Sequence, residues 1–161
     1  VKMKVALVMG SISDKEIVKK AAEILKQFDV PYESYVISAH RSIDLAISYA
    51  AQMEEKGIDL TIAFAGKAAH LAGVLAGLSI KPVIGVPVKA STLDGLDALL
   101  STVQMPKGVP VATVAIDGAE NAALLAVQIL ALNNGELKEK LTAYKKEMKN
   151  SVLKMNEEID F

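Results

Sequence analysis

KVALVMGSISDKEIVKKAAEILKQF, residues 4–28, is a complete strand–turn–helix unit. The apolar run over 5–9 is continuous and does not alternate, as in a strand covered on both faces. Gly10 permits a tight turn, and Ser11, Ser13 and Asp14 are residue types that cap helix N-termini. Beyond them Ile17, Val18, Ala21, Ala22, Ile24, Leu25 and Phe28 form an apolar stripe opposite lysines and glutamates, which is the period of an amphipathic helix.

The same unit recurs along the chain. Further strands are expected at 32–37, 60–64, 83–86 and 111–116, and helices at 14–28, 42–56, 69–78, 92–101 and 119–132. Strict alternation of strand and helix implies parallel strands, right-handed crossovers and a three-layer α/β/α domain. No repeat, linker or low-complexity tract divides the chain. Its 161 residues are therefore expected to form a single catalytic domain over 1–161, with a core over 3–133 and a C-terminal helix over 136–158. In that last helix Leu137, Leu141, Tyr144, Met148, Val152 and Met155 recur at helical spacing among dense charge. Such a stripe either packs on its own subunit or reaches a neighbour as an arm. The helix at 119–132 is apolar nearly all round, which calls for burial on every side. The outer face of a helix in a three-layer domain is ordinarily wet, so this one argues for oligomerisation, with packing inside a helix pair as the alternative.

Composition narrows the function classes. Apolar residues make up 52% and aromatics only 4%, so the core is aliphatic. A mean hydropathy of +0.32 is high for a soluble monomer of this size and favours subunit contacts. The formal charge is −1, with pI near 6.2. There is no global basic field for nucleic acid or an anionic membrane, so an anionic partner must be held by a local pocket. The chain has no cysteine. That removes disulfides and thiolate chemistry and fits a reducing cytoplasm. VKMKVALVMGSISD, at 1–14, reads as a strand and turn and not as a secretory signal, and AALLAVQILAL, at 122–132, is too short to span a bilayer.

Ligands of open parallel sheets bind beyond the carboxyl ends of the strands, where helix N-termini point. The polar residues gather at those places. After the first strand comes GSISD, with Ser11, Ser13 and Asp14. After the second comes SAHR, with Ser38, His40 and Arg41. After the third comes AGKAAH, with Gly66, Lys67 and His70. Arg41 presents a fork suited to phosphate. His40, one of two histidines, stands in a polar loop, and an imidazole is a residue type suited to proton transfer. His70, among small and apolar residues, suits either packing or the site, and GSISD alone would serve equally as a helix cap. GxGxxG and GxxxxGK[ST] are both missing, which argues against dinucleotide and nucleoside-triphosphate cradles. A metal site lacks HxxxH or HxH spacing, and a hydrolase lacks its G-x-S-x-G elbow. The residues thus point to an α/β domain that binds a phosphorylated small molecule, with His40 available for acid–base work.

VMGSISD, VISAHRS, AGKAAHLAG, KPVIGVPV, LDGLDALLSTVQMPKGVPVATVAID and NAALLAVQILAL together resemble the class I phosphoribosylaminoimidazole carboxylase catalytic subunit family, in register from about residue 4 to 150. That family includes the N5-carboxyaminoimidazole ribonucleotide mutases of purine synthesis. The resemblance implies a flavodoxin-like fold in a cytoplasmic homo-octamer, with the active site at a subunit junction and no metal or organic cofactor. It implies that the N-carboxylate of the ribonucleotide substrate leaves as carbon dioxide and is recaptured at C4 of the imidazole. His40 would be the proton shuttle. Ser11, Ser38 and Arg41 would hold phosphate and Asp14 ribose, while Ser13, Gly66 and His70 would wall the base and carboxylate pocket.

Two departures stand out. Where the family commonly has AGGAAHLPG, this chain has Lys67 for the second glycine and Ala72 for the proline. SAHRTP is replaced by SAHR with Ser42 and Ile43. Lys67 either assists the carboxylate or points to solvent. Direct carboxylation of aminoimidazole ribonucleotide and a non-catalytic phosphonucleotide-binding module are the competing readings. The intact AAHL favours the mutase.

Overall fold

The apolar runs become five parallel strands in the order β2-β1-β3-β4-β5, formed by β1 (Lys4–Met9), β2 (Tyr32–Val36), β3 (Ile58–Gly66), β4 (Val83–Val88) and β5 (Ala112–Thr113). The structure is a computed structural model and describes residues 3–161. The helices are α1 (Lys15–Gln27), α2 (Ile43–Gln52), α3 (Leu71–Leu78), α4 (Leu96–Val103), α5 (Ala119–Ala131) and α6 (Gly135–Glu157), with 3-10 turns at Ile12–Asp14 and Leu93–Gly95.

Alternation along β1 sorts the layers. Val5, Leu7 and Met9 join Leu60, Ile62 and Ile84 in one cluster with α1 and α5, while Ala6 and Val8 pack with α2 and α3 on the opposite face. Leu7, Leu25, Leu60 and Ile62 are fully buried, and each contributes roughly 1.5–3 kcal/mol of apolar burial. The core is aliphatic, as composition requires. Among the described residues no helix is long and apolar enough to cross a membrane.

β5 is shorter than the apolar run 111–116 suggests, and the cause lies in its neighbour. Val114 N–H donates to Gly85 O at 3.1 Å, and the next ladder bond needs an N–H from Pro87, which has none. The chain leaves the sheet there, with Asp117 in the left-handed region and its N–H on Pro87 O at 2.8 Å. The helix expected at 92–101 starts later, at Leu96, because Leu93, Asp94 and Gly95 all have positive φ. α2 likewise stops at Gln52, ahead of a turn that ends in left-handed Gly57. β2, an edge strand, is half-exposed and polar in sequence, unlike the buried β1 and β4.

The largely apolar helix α5 buries its alanines, Val127 and Leu130 within the chain and packs on α1 and α6, and the residues it exposes are Glu120, Asn121 and Gln128. The argument from its composition to subunit contacts therefore falls away. α6 divides in two. Leu137 is buried, and Leu141 and Tyr144 pack on the core with Tyr144 edge-on to Phe28, whereas Met148, Val152, Leu153 and Met155 are exposed.

Candidate active site

The sheet order places its switch point between β1 and β3, whose connections leave toward different neighbours. This 2-1-3-4-5 order is the flavodoxin-like case in which ligands sit at that point. A cleft of about 630 Å³ opens there, beyond the strand ends. All nine residues expected at the site line it: Ser11, Ser13 and Asp14 after β1; Ser38, His40 and Arg41 after β2; Gly66, Lys67 and His70 after β3.

The first turn is a hydroxyl cluster. Ser11 Oγ accepts from Ser13 N–H at 3.3 Å and lies 2.9 Å from Ser13 Oγ, capping the 3-10 turn. Asp14 precedes α1 but makes no side-chain cap, so its carboxylate is left to the cleft. Burial raises its pKa above the usual carboxylate value; a backbone hydrogen bond at Ser11 works against this, and the charge of Asp117 adds to it. Gly10 is not in the left-handed region, and a Cβ there would meet only ordinary contacts, the nearest 3.7 Å away. Gly66 is tighter: its Cβ would approach Val88 O at 3.1 Å.

The second loop is braced from within. Arg41 Nε donates to Ser38 Oγ at 3.1 Å, and its Nη2 reaches Gly10 O at 3.4 Å, which turns the guanidinium toward the end of β1. Ser42 Oγ donates to Ser38 O at 2.9 Å and accepts from Ser38 N–H at 3.1 Å. The hydroxyl that would otherwise cap α2 instead closes the SAHR loop, while Ile43 takes the first helical position. In the sequence Ser42 stands out only as a departure from SAHRTP. A hydroxyl four residues after Ser38, at a helix start, was the available signal.

The third loop brings the histidines together. His40 Nε2 lies 2.7 Å from His70 Nδ1, with ring centroids 4.9 Å apart and planes at 74°. One ring must donate and the other accept, so the pair holds complementary tautomers around one proton. His70 occupies the N-cap position of α3 without using its side chain there. Its ring is exposed and lines the cleft beside His40 instead of packing in the core.

A fourth strand end, unforeseen, completes the wall. Val88, the last residue of β4, and Lys89 and Ala90 beyond it line the cleft; the rule that governs the other three loops applies equally there. Lys89 N–H donates to Asp117 Oδ1 at 2.8 Å, and Lys89 Nζ pairs with Asp94 at 3.2 Å. Among the described residues no three His, Cys, Asp or Glu side chains cluster as metal ligands would. The cleft thus offers three cations, a hydroxyl cluster, one carboxylate and an imidazole pair. That equipment suits an anionic, hydroxylated substrate that exchanges a proton.

Known proteins share this fold and much of this sequence. The family model described as AIR carboxylase matches residues 4–151. The N5-carboxyaminoimidazole ribonucleotide mutase of Pyrococcus horikoshii is 57% identical over 148 residues, covering 92% of this chain and 84% of that protein. A Vigna aconitifolia protein named phosphoribosylaminoimidazole carboxylase, chloroplastic, is 50% identical over 95% of this chain, which spans 28% of it. The crystal structure of Treponema denticola PurE2-S38D superposes over 100% of both chains with TM-score 0.90 at 27% identity. The chain belongs to the AIR carboxylase family.

Proposed function

We propose that the chain is an N5-carboxyaminoimidazole ribonucleotide mutase of purine biosynthesis, converting its substrate to 4-carboxy-5-aminoimidazole ribonucleotide. Family membership supports the reaction, and the observation that carries the mechanism is the His40–His70 pair in the same cleft as Arg41. The phosphoribosyl end sits toward β1, where Arg41, Ser38 and Ser11 hold phosphate and Asp14 meets the ribose hydroxyls. The base lies along the β3 loop against Ser13, Gly66 and His70.

In the reaction the N5–carboxyl bond breaks, carbon dioxide is held, and its carbon bonds to C4. N5 gains a proton and C4 loses one, so the proton balance is zero. His40 carries that proton, and His70, hydrogen-bonded to it, sets which ring nitrogen is free to act. Retaining carbon dioxide asks for a small, dry pocket, and Ala65, Gly66 and Ala68 give the β3 side of the cleft short side chains without polar groups to form one on closure.

The active assembly is a homo-octamer in the cytoplasm. Exposed Ile43, Leu45 and Ile47 on α2, beside the cleft, support a subunit contact there. Light scattering of a 17.1 kDa species at micromolar concentration would overturn that assembly.

Direct carboxylation is the second reading, favoured by the name of the plant relative. Purified protein given each substrate alone decides between them. Turnover of the N-carboxylated ribonucleotide, lost in His40→Asn, is expected; turnover only of aminoimidazole ribonucleotide with bicarbonate would sink the mutase. A merely nucleotide-binding module would show no turnover of either.

A further inference from the structure

Lys67 is the first residue beyond β3, and its φ of 56° lies in the left-handed region. Glycine adopts that backbone freely and a lysine does not. The backbone on either side is held: Gly66 ends β3 in register with Val88, Ala69 is buried, and the Lys67 carbonyl accepts from Ser101 Oγ at 3.5 Å. The fold therefore accepts a strained residue at the lip of the cleft, where its side chain is the only gain over glycine.

That side chain is exposed and lines the cleft, and it enters no ion pair or hydrogen bond among the described residues. The other two cations of the cleft are engaged. Arg41 is turned toward the end of β1 by Ser38 and Gly10, and Lys89 is paired with Asp94. One unpaired ammonium remains, on the same loop as His70. Under the mutase reading, on which this step rests, the substrate has two anionic ends, a phosphate and an N-carboxylate. Arg41 and the hydroxyls account for the first.

We propose that Lys67 is a specificity-determining residue that holds the substrate carboxylate and so distinguishes carboxylated from uncarboxylated ribonucleotide. The contact is strong while the group is a carboxylate and dissolves when it becomes neutral carbon dioxide. It stabilises the ground state more than the transition state, so its loss raises KM without lowering kcat.

Lys67→Gly removes the ammonium and relieves the backbone, and Lys67→Met removes only the charge. Both are expected to bind 4-carboxy-5-aminoimidazole ribonucleotide on the order of tenfold more weakly by calorimetry, as for a lost bond to a charged group. Affinity for uncarboxylated aminoimidazole ribonucleotide stays unchanged, Lys67→Arg restores the difference, and the glycine variant melts no lower than wild type. Equal weakening of both nucleotides, or of neither, overturns the proposal. So does a fall in kcat at unchanged KM. If wild type fails to turn over the N-carboxylated substrate, the functional reading falls, yet the two binding measurements still judge Lys67.

Discussion

Ser42→Ala removes a hydroxyl that holds the SAHR loop closed, and the structure says which bonds go. Ser38 O keeps its bond from Ser42 N–H at 2.9 Å after the hydroxyl is gone. Ser38 N–H, whose partner was Ser42 Oγ at 3.1 Å, is left unpaired. The site is half-buried, so water offsets part of the loss, and the cost falls near the net value of one hydrogen bond, about 1 kcal/mol. For a domain of this size that is a fall in melting temperature of roughly 2–4 °C. The functional effect comes through Arg41, whose Nε leans on Ser38 Oγ. A loosened Ser38 frees the guanidinium, and KM for the ribonucleotide rises several-fold while kcat changes less. Calorimetric melting and steady-state kinetics read the two effects, with Ser42→Thr as a control that keeps the hydroxyl. A melting temperature within half a degree of wild type, or a threonine variant as impaired as the alanine one, would refute the reasoning.

Arg41→Ala is expected to weaken nucleotide binding by about 1.5–3 kcal/mol, the worth of a hydrogen bond to a charged group; unchanged affinity in calorimetry removes Arg41 from the phosphate site. Asp14 has a folded pKa raised chiefly by burial, so ionising it opposes folding at neutral pH, and the penalty disappears as pH falls below the unfolded carboxylate range. Asp14→Asn should therefore melt higher than wild type at pH 7 and converge with it in acid, while binding nucleotide more weakly; a variant that is less stable at pH 7 contradicts this. Tyr49→Phe strands Thr61 Oγ1, fully buried and 2.6 Å from the tyrosine hydroxyl, at about 1–3 kcal/mol. Adding Thr61→Val should recover part of that loss in denaturant titrations, and additive losses would disprove the coupling. Burial of the same hydroxyl pushes the Tyr49 pKa up to about 12.

The site was legible because one rule governs it. Residues immediately past parallel strands meet at the sheet edge, and Ser11, Ser38, His40, Arg41, Lys67 and His70 obey it. Lys89 obeys it too, but as one lysine in a segment without histidine or arginine it carried no local mark. What stayed hidden was set by partners distant in sequence. The end of β5 depends on Pro87 in the adjacent strand. The left-handed turn before α4 depends on Gly95, where a Cβ would stand 2.8 Å from Ile116 Cγ2. The stripe of α6 runs to Met155 in sequence, yet only its first turns find the core, since periodicity shows a face and not how far the neighbour extends.

Pro87 has a second effect. An aliphatic sheet with a long open edge is a template on which other chains can add strands and aggregate. Here the β5 edge is two residues long, and the strand behind it cannot continue the ladder. The missing N–H that cuts the sheet short also blunts that edge against recruitment of a foreign strand. Replacing Pro87 with a residue that donates would lengthen β5 and, with it, the surface open to aggregation.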